Sequence, residues 1–161
     1  MKYKTRAKKI ISGGQTGIDR GALDACLDLK FPAGGWCPKN RRAEDGEIHE
    51  KYPLRETHSE KYDERTRLNV KDADDTLIIA RQPLAGGTLL TLQVARELSK
   101  PFLVVHPESS ENGDVINTIL EWLNNNTISV LNIAGPRQSE WQQAHETSYR
   151  ITANLIHKIW R

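Results

Sequence analysis

Cysteine is nearly absent from this chain: Cys26 and Cys37 are the only two in 161 residues. Two thiols are too few for a disulfide-built scaffold, and they are read as reduced thiols of a cytoplasmic protein. Long apolar runs are also missing. No stretch approaches the roughly 20 residues that a membrane-spanning helix needs. The opening Met1-Lys2-Tyr3-Lys4-Thr5-Arg6 is basic but has no apolar core of a signal peptide. Residues 1–7 are read as a flexible tail. Charge of one sign is lacking too. The formal net charge is +2 with acidic and basic residues intermixed, so nothing predicts a basic face for nucleic acid. His49, His58, His106, His145 and His157 are scattered, without a His-x-x-x-His pair, so no metal site made of side chains is expected.

What is present suits one globular domain: 37% hydrophobic and 27% charged residues, with enough chain for a full core. Apolar runs at 8–12, 33–36, 76–80, 102–106 and 128–133 predict about five strands. Between them, helical spacing predicts helices over 17–30, from Thr57 to about Lys71, from Thr88 to Ser99, around Val115–Leu123, and from Ser139 towards the end. Capping boxes are read at Thr16/Asp19, Thr57/Glu60 and Ser139/Gln142. A polar loop is expected over 107–114, and a long polar excursion over 39–60. Strands alternating with helices predict an α/β domain with a mainly parallel sheet. Ligands of such sheets bind beyond the carboxyl ends of the strands.

Three strands run into glycine turns, at Gly13-Gly14-Gln15-Thr16-Gly17, Gly86-Gly87-Thr88 and Gly135-Pro136-Arg137. The first turn opens a helix, whose free N–H groups and dipole would favour an anion such as phosphate. If all three turns lie on one rim they form a shared ligand pocket. Arg20 and Arg137 are candidate bidentate partners for phosphate oxygens, and Lys39 and Arg42 add positive charge from the long loop. Glu44 and Asp45 from that loop are candidate acid–base carboxylates, with Asp19 a third whose capping role competes. His106 closes a strand at the expected active end, either as a structural or a catalytic histidine. Cys26 lies on a helix packing stripe. Cys37 either packs in its turn or meets a ligand. Trp122, Trp141 and Trp160 are core residues or anchors of self-association into a homo-oligomer.

The chain carries Gly13-Gly14-Gln15-Thr16-Gly17-Ile18-Asp19-Arg20-Gly21-Ala22-Leu23-Asp24, then Gly35-Trp36-Cys37-Pro38, Arg42-Ala43-Glu44-Asp45-Gly46, Tyr52-Pro53-Leu54-x-Glu56-Thr57, Arg65-Thr66-x-x-Asn69-Val70, Gly86-Gly87-Thr88 and Ala134-Gly135-Pro136-Arg137. In this order, across about residues 8–160, it resembles the molybdenum carrier proteins, also described as circularly permuted YpsA-related members of the SLOG superfamily. The resemblance implies a Rossmann-like three-layer domain whose glycine turns bind a phosphate-bearing cofactor or nucleotide. Molybdenum cofactor is one candidate ligand. The implied roles are cofactor carrier or nucleotide sensor, with a nucleotide or nucleotide-sugar hydrolase as the alternative. One superfamily branch that cleaves nucleoside monophosphates carries Pro-Gly-Gly-x-Gly-Thr-x-x-Glu at the second turn. Thr91 stands here in the place of that glutamate, and a hydroxyl cannot do a carboxylate's acid–base work.

Overall fold

The computed structural model describes residues 7–109 and 112–159. Trp160 and the tail residues 1–6 lie outside the described residues, and Ala7, assigned to the tail from the sequence, is buried. The elements in chain order are β1 (Lys9–Ile11), α1 (Ile18–Asp28), β2 (Ala33–Gly34), β3 (Trp36–Cys37), β4 (Arg42–Ala43), β5 (Gly46–Glu47), β6 (Arg55–Glu56), α2 (Tyr62–Asp72), β7 (Asp75–Ile79), α3 (Gly86–Glu97), β8 (Phe102–Val105), α4 (Asn112–Asn125), β9 (Val130–Ala134) and α5 (Ala144–Ile159).

Five strands form one parallel sheet in the order β2-β1-β9-β7-β8. The last strand enters the middle of the sheet, with Leu131 beside Ile10 on one side and Ile133 beside Leu77 on the other. That insertion makes β1, β9 and β7 neighbours, and these are the three strands that lead into glycine turns. The convergence of the turns is therefore a product of strand order. On one face α1 packs on α5, with α4 beside α5 and against β8, over Ile10, Ile79, Leu131 and Ile133. On the other face α2 packs against α3, where Val70, Val94 and Ala95 form a smaller cluster. The result is the α/β domain with a parallel sheet that the strand–helix alternation predicts, in the three-layer, Rossmann-like form that the family resemblance implies.

Several local expectations are corrected. Gly35, at φ 129°, splits the expected strand 33–36 in two: β2 joins the main sheet and β3 pairs with β6 in a separate ribbon. The 39–60 excursion is ordered as a 3-10 turn at Lys39–Arg41, the β4–β5 hairpin and β6, closed over a cluster of Leu23, Cys37, Ala43, Ile48 and Tyr52. Arg41 ties it together by donating to the carbonyls of Ile48, His49, Tyr52 and Leu54. The polar segment 107–114 contains a 3-10 turn at Pro107–Ser109 and the start of α4 at Asn112, so helix begins earlier than its apolar spacing indicates.

None of the three expected capping boxes forms. Thr57 Oγ1 donates to the Ser59 carbonyl while Glu60 accepts from Asn40, and α2 starts at Tyr62. Ser139 is held by Glu44, and α5 starts at Ala144, one residue before His145, whose N–H is taken by Gln138 Oε1. Thr16 bonds to the long excursion and to the N–H of Gln138 instead of to its own helix. For Thr16 and Ser139 a tertiary partner takes the hydroxyl, and for Thr57 a competing local carbonyl two residues on does.

Candidate functional site

The turn after β1 begins the site, and its hydrogen bonds differ from those of an open anion cradle. The N–H of Gln15 donates to Asp19 Oδ2 at 3.3 Å, and that of Thr16 to Gln15 Oε1 at 3.0 Å. The first N–H of α1, on Ile18, donates to the Pro136 carbonyl at 3.2 Å, and that of Arg20 to the Gln15 carbonyl. Gly17 permits this closure. It adopts φ 81°, and a Cβ there would lie 2.5 Å from the Pro136 oxygen and 2.7 Å from the Gln138 nitrogen. The expectation of an open row of donors at the start of α1 is thus corrected: the segment after β9 covers that helix end and accepts the Ile18 N–H, and the turn itself accepts that of Arg20.

The open helix end belongs to α3. Ala85 provides no side-chain cap, and the first helical bond runs from Leu89 N to Ala85 O at 3.2 Å. The N–H groups of Gly86, Gly87 and Thr88 have no acceptor among the described residues. Gly87 and Thr88 line a cavity of about 210 Å³ at the carboxyl ends of β1, β9 and β7. Gly13, Gln15, Gly135 and Arg137 line it as well, so parts of all three glycine turns do share one pocket.

The opposite wall comes from α2, which the glycine motifs did not indicate. Arg65 lines the cavity, with its side chain only 10% exposed. Its Nη1 donates to the Gly13 carbonyl at 3.0 Å and approaches Asp19 Oδ2 at 3.4 Å, and Nε donates to the Tyr62 carbonyl. Its Nη2 has no partner among the described residues. Gly13 leaves the space this requires, since a Cβ there would meet Arg65 Nη1 at 2.5 Å. Asp19, also in the wall, is buried. Burial pushes its carboxyl above the usual carboxylate value, against the lowering pull of Arg65 and of the Gln15 N–H. Arginine stays protonated throughout, so the cavity keeps a buried cation.

Tyr62 completes that wall. The guanidinium carbons of Arg42, Arg65 and Arg137 lie 5.0, 5.1 and 5.7 Å from its ring centroid. Asn132 reaches the cavity from β9 and donates to Thr76 Oγ1 at 3.3 Å, while Asn69 spends its amide on the backbone of Trp36. Two sequence signals mark these residues in hindsight. Arg65 is a charged residue on the packing stripe of a helix, and Asn132 interrupts a buried apolar strand. Either must find a polar partner inside the fold.

The remaining sequence candidates sit elsewhere. Arg20 pairs with Asp45 and donates to the Gly14 carbonyl at 3.0 Å, which fastens the excursion to the turn. Glu44 accepts from Thr16, from Ser139 Oγ at 2.6 Å and from Ser139 N at 3.1 Å, and its own N–H reaches Gln15 Oε1. Burial raises the Glu44 carboxyl, but the hydrogen bonds from Ser139 and Thr16 together with the Arg137 charge outweigh it and hold the carboxyl below its usual value. The Arg20 hydrogen bond does the same for Asp45. Both carboxylates line an open cleft with Thr16, Gly17 and Arg20, outside the cavity. Carboxyls held ionised in this way are poorly suited to act as general acids.

Gly14 packs against Leu54 and Ile48, Arg42 donates to the Glu60 carbonyl, Lys39 is exposed on its 3-10 turn, and Gly86 precedes the cavity lining by one residue. Cys37 is fully buried in the cluster beneath the excursion, which settles it as a packed thiol. His106 bonds through Nδ1 to the Ala80 carbonyl and lines a neighbouring compartment. Trp141 is in the core with its Nε1 donating to Glu108, and Trp122 packs against the same core. No group of three or more His, Cys, Asp or Glu side chains placed to hold a metal ion occurs among the described residues, and no helix there is long and apolar enough to cross a membrane.

Comparisons with known proteins agree with this architecture. The model of the circularly permutated YpsA SLOG family matches residues 10–156. The crystal structure of a protein from Syntrophus aciditrophicus SB, named "Putative molybdenum carrier protein", superposes with a TM-score of 0.88 at 40% sequence identity. The match covers 98% of this chain and 97% of that one. Curated proteins give no match. The chain belongs to the circularly permuted YpsA SLOG family.

Proposed function

We propose, from this family membership and the cavity beside α2 and α3, that the chain is a binding protein for a small phosphate-bearing ligand: a carrier of a molybdenum cofactor-type pterin or a nucleotide sensor. One observation carries the reading. A buried arginine with an uncommitted Nη2 lines the same cavity as the open N-terminus of α3. A cation, a helix dipole and free N–H groups directed at one small space are the donor set of an oxyanion site. The name of the Syntrophus relative supports a carrier role over turnover, and Thr91 is consistent with it. It lies in the cavity wall, but its hydroxyl donates to the Gly87 carbonyl and brings no carboxylate.

In this reading the phosphate sits against Gly87 and Thr88 N–H and Arg65 Nη2, with Arg137 at the rim. Glu44, Asp45 and Arg20 fasten the excursion to the turn after β1, outside the cavity. The molybdenum of such a cofactor would arrive already held by its pterin, because the cavity supplies donors for an oxyanion. A cytoplasmic setting fits the two buried free thiols. Native mass spectrometry of freshly purified full-length chain, with extraction of whatever is bound, tests this directly. A pterin or nucleotide mass is expected, together with heat on titration of ribose 5-phosphate that falls at least about tenfold in affinity in Arg65→Lys. A chain that emerges empty, and gives no heat with ribose 5-phosphate or pyrophosphate, overturns it.

A further inference from the structure

A second compartment adjoins the phosphate cavity. It encloses about 670 Å³, three times the roughly 210 Å³ of the first, and Thr88 and Glu140 line both. The smaller space alone is below the range of about 300–1,000 Å³ that whole ligands occupy. A phosphate seated at Gly87 and Thr88 must therefore direct the rest of its molecule outwards, and the larger compartment is the adjoining space.

The chemistry of its walls is specific. Leu84 offers an apolar side. Arg81 is fixed in place, with Nη2 donating to the Glu140 carbonyl at 2.8 Å and its guanidinium 5.6 Å from the centroid of the buried Trp141 ring. A guanidinium held in this way is a planar cationic surface on which an aromatic ring stacks at low entropic cost. The Gln82 amide, without a hydrogen-bond partner among the described residues, supplies a donor and an acceptor in one group. An apolar wall, a stacking plane and a bifunctional amide match a planar heteroaromatic ring with polar edges. The Glu108 and Glu140 carboxylates in the same lining disfavour a bare anion.

We propose that this compartment is the ring subsite, so that the ligand lies across Thr88 with its phosphate in the small cavity and a purine or pterin ring against Arg81 and Leu84. The assignment rests on the phosphate-binding reading above, and the test separates the two. Full-length chain is titrated calorimetrically with ribose 5-phosphate, AMP and a phosphorylated pterin, using wild type, Leu84→Trp, which fills the compartment, and Arg81→Ala, which removes the plane. In wild type, AMP or the pterin binds at least about tenfold tighter than ribose 5-phosphate, the increment expected of one stacked ring. Both variants lose that increment and keep the ribose 5-phosphate affinity and the melting temperature. Two outcomes overturn the ring subsite: neither ring compound exceeds ribose 5-phosphate in wild type, or both folded variants retain the increment. If ribose 5-phosphate fails to bind while a ring compound binds and weakens in both variants, the phosphate reading falls and the ring subsite stands.

Discussion

Asp19 places a carboxylate in a cavity read as an anion site, so its removal has a definite expected effect. In Asp19→Asn the shape is kept and one negative charge is lost. Asp19 Oδ2 lies 3.4 Å from Arg65 Nη1 and accepts from the Gln15 N–H at 3.3 Å, so its charge faces the same guanidinium that an anionic ligand would use. A phosphate on the other side of Arg65 would sit about 6 Å from this carboxylate, and at an effective dielectric of about 20 their repulsion is about 3 kcal/mol. Wild type relieves part of that by protonating Asp19, whose carboxyl is already raised by burial. Asp19→Asn removes what remains of the penalty, so affinity for the anion rises, by at most about a hundredfold.

The proton supplies the second readout. A bound anion raises the Asp19 carboxyl further, so ligand binding to wild type takes up a proton and weakens as pH rises through the raised Asp19 value of the free protein. The same sign holds for folding. A carboxyl raised in the folded state binds protons more tightly there than in the unfolded chain, so its contribution to stability is present at low pH and lost as pH rises through the folded value. Calorimetry with ribose 5-phosphate in two buffers of different ionisation enthalpy measures the uptake. The expected result is uptake in wild type, none in Asp19→Asn, and tighter binding by the variant. Weaker binding by a folded Asp19→Asn chain, or unchanged proton uptake, would refute the reasoning and make Asp19 an orienting partner of Arg65.

Other expectations follow from the same geometry. Gly17→Ala should lower stability by about 2–4 kcal/mol, from the positive φ and the Pro136 oxygen 2.5 Å from any Cβ; an unchanged urea midpoint would show that the segment after β9 yields easily. Glu44→Gln should leave ribose 5-phosphate affinity within about twofold, because Glu44 lies outside the cavity, whereas the general-acid role considered for it from sequence has the carboxyl at the ligand. Cys26, fully buried and pushed up to about 12 by that burial, should resist iodoacetamide in the native chain and react once the chain is unfolded in urea. Mass spectrometry of the labelled peptides reads this out, and native labelling of Cys26 would contradict the packing.

The glycine turns were legible in the sequence because glycine at a strand end reports a local backbone need. The free helix end was not. Whether a helix terminus is open depends on what covers it, and Pro136, more than a hundred residues from Gly17, covers α1. The capping boxes at Thr16, Thr57 and Ser139 failed for a related reason. The hydroxyls of Thr16 and Ser139 have a local option and a tertiary one, and spacing encodes only the local option, while Thr57 takes a competing local bond to the Ser59 carbonyl. Glu44 and Asp45 looked like catalytic carboxylates because sequence shows a side chain's chemistry and not its partner. Their partners turned out to be Thr16, Ser139 and Arg20.

By itself the sequence determined the class of this protein. Strand and helix periodicities are local consequences of residue burial, so five strands, the intervening helices and the ends that carry the turns could all be read along the chain, as could the family through its ordered motifs. Only the tertiary structure decided which strands are neighbours. Inserting β9 between β1 and β7 brings the three turns to one rim, closes the end of α1, leaves that of α3 open and brings Arg65 in from α2. Strand order is a non-local choice made by the whole core. The identity of the site, as distinct from its existence, therefore follows from packing.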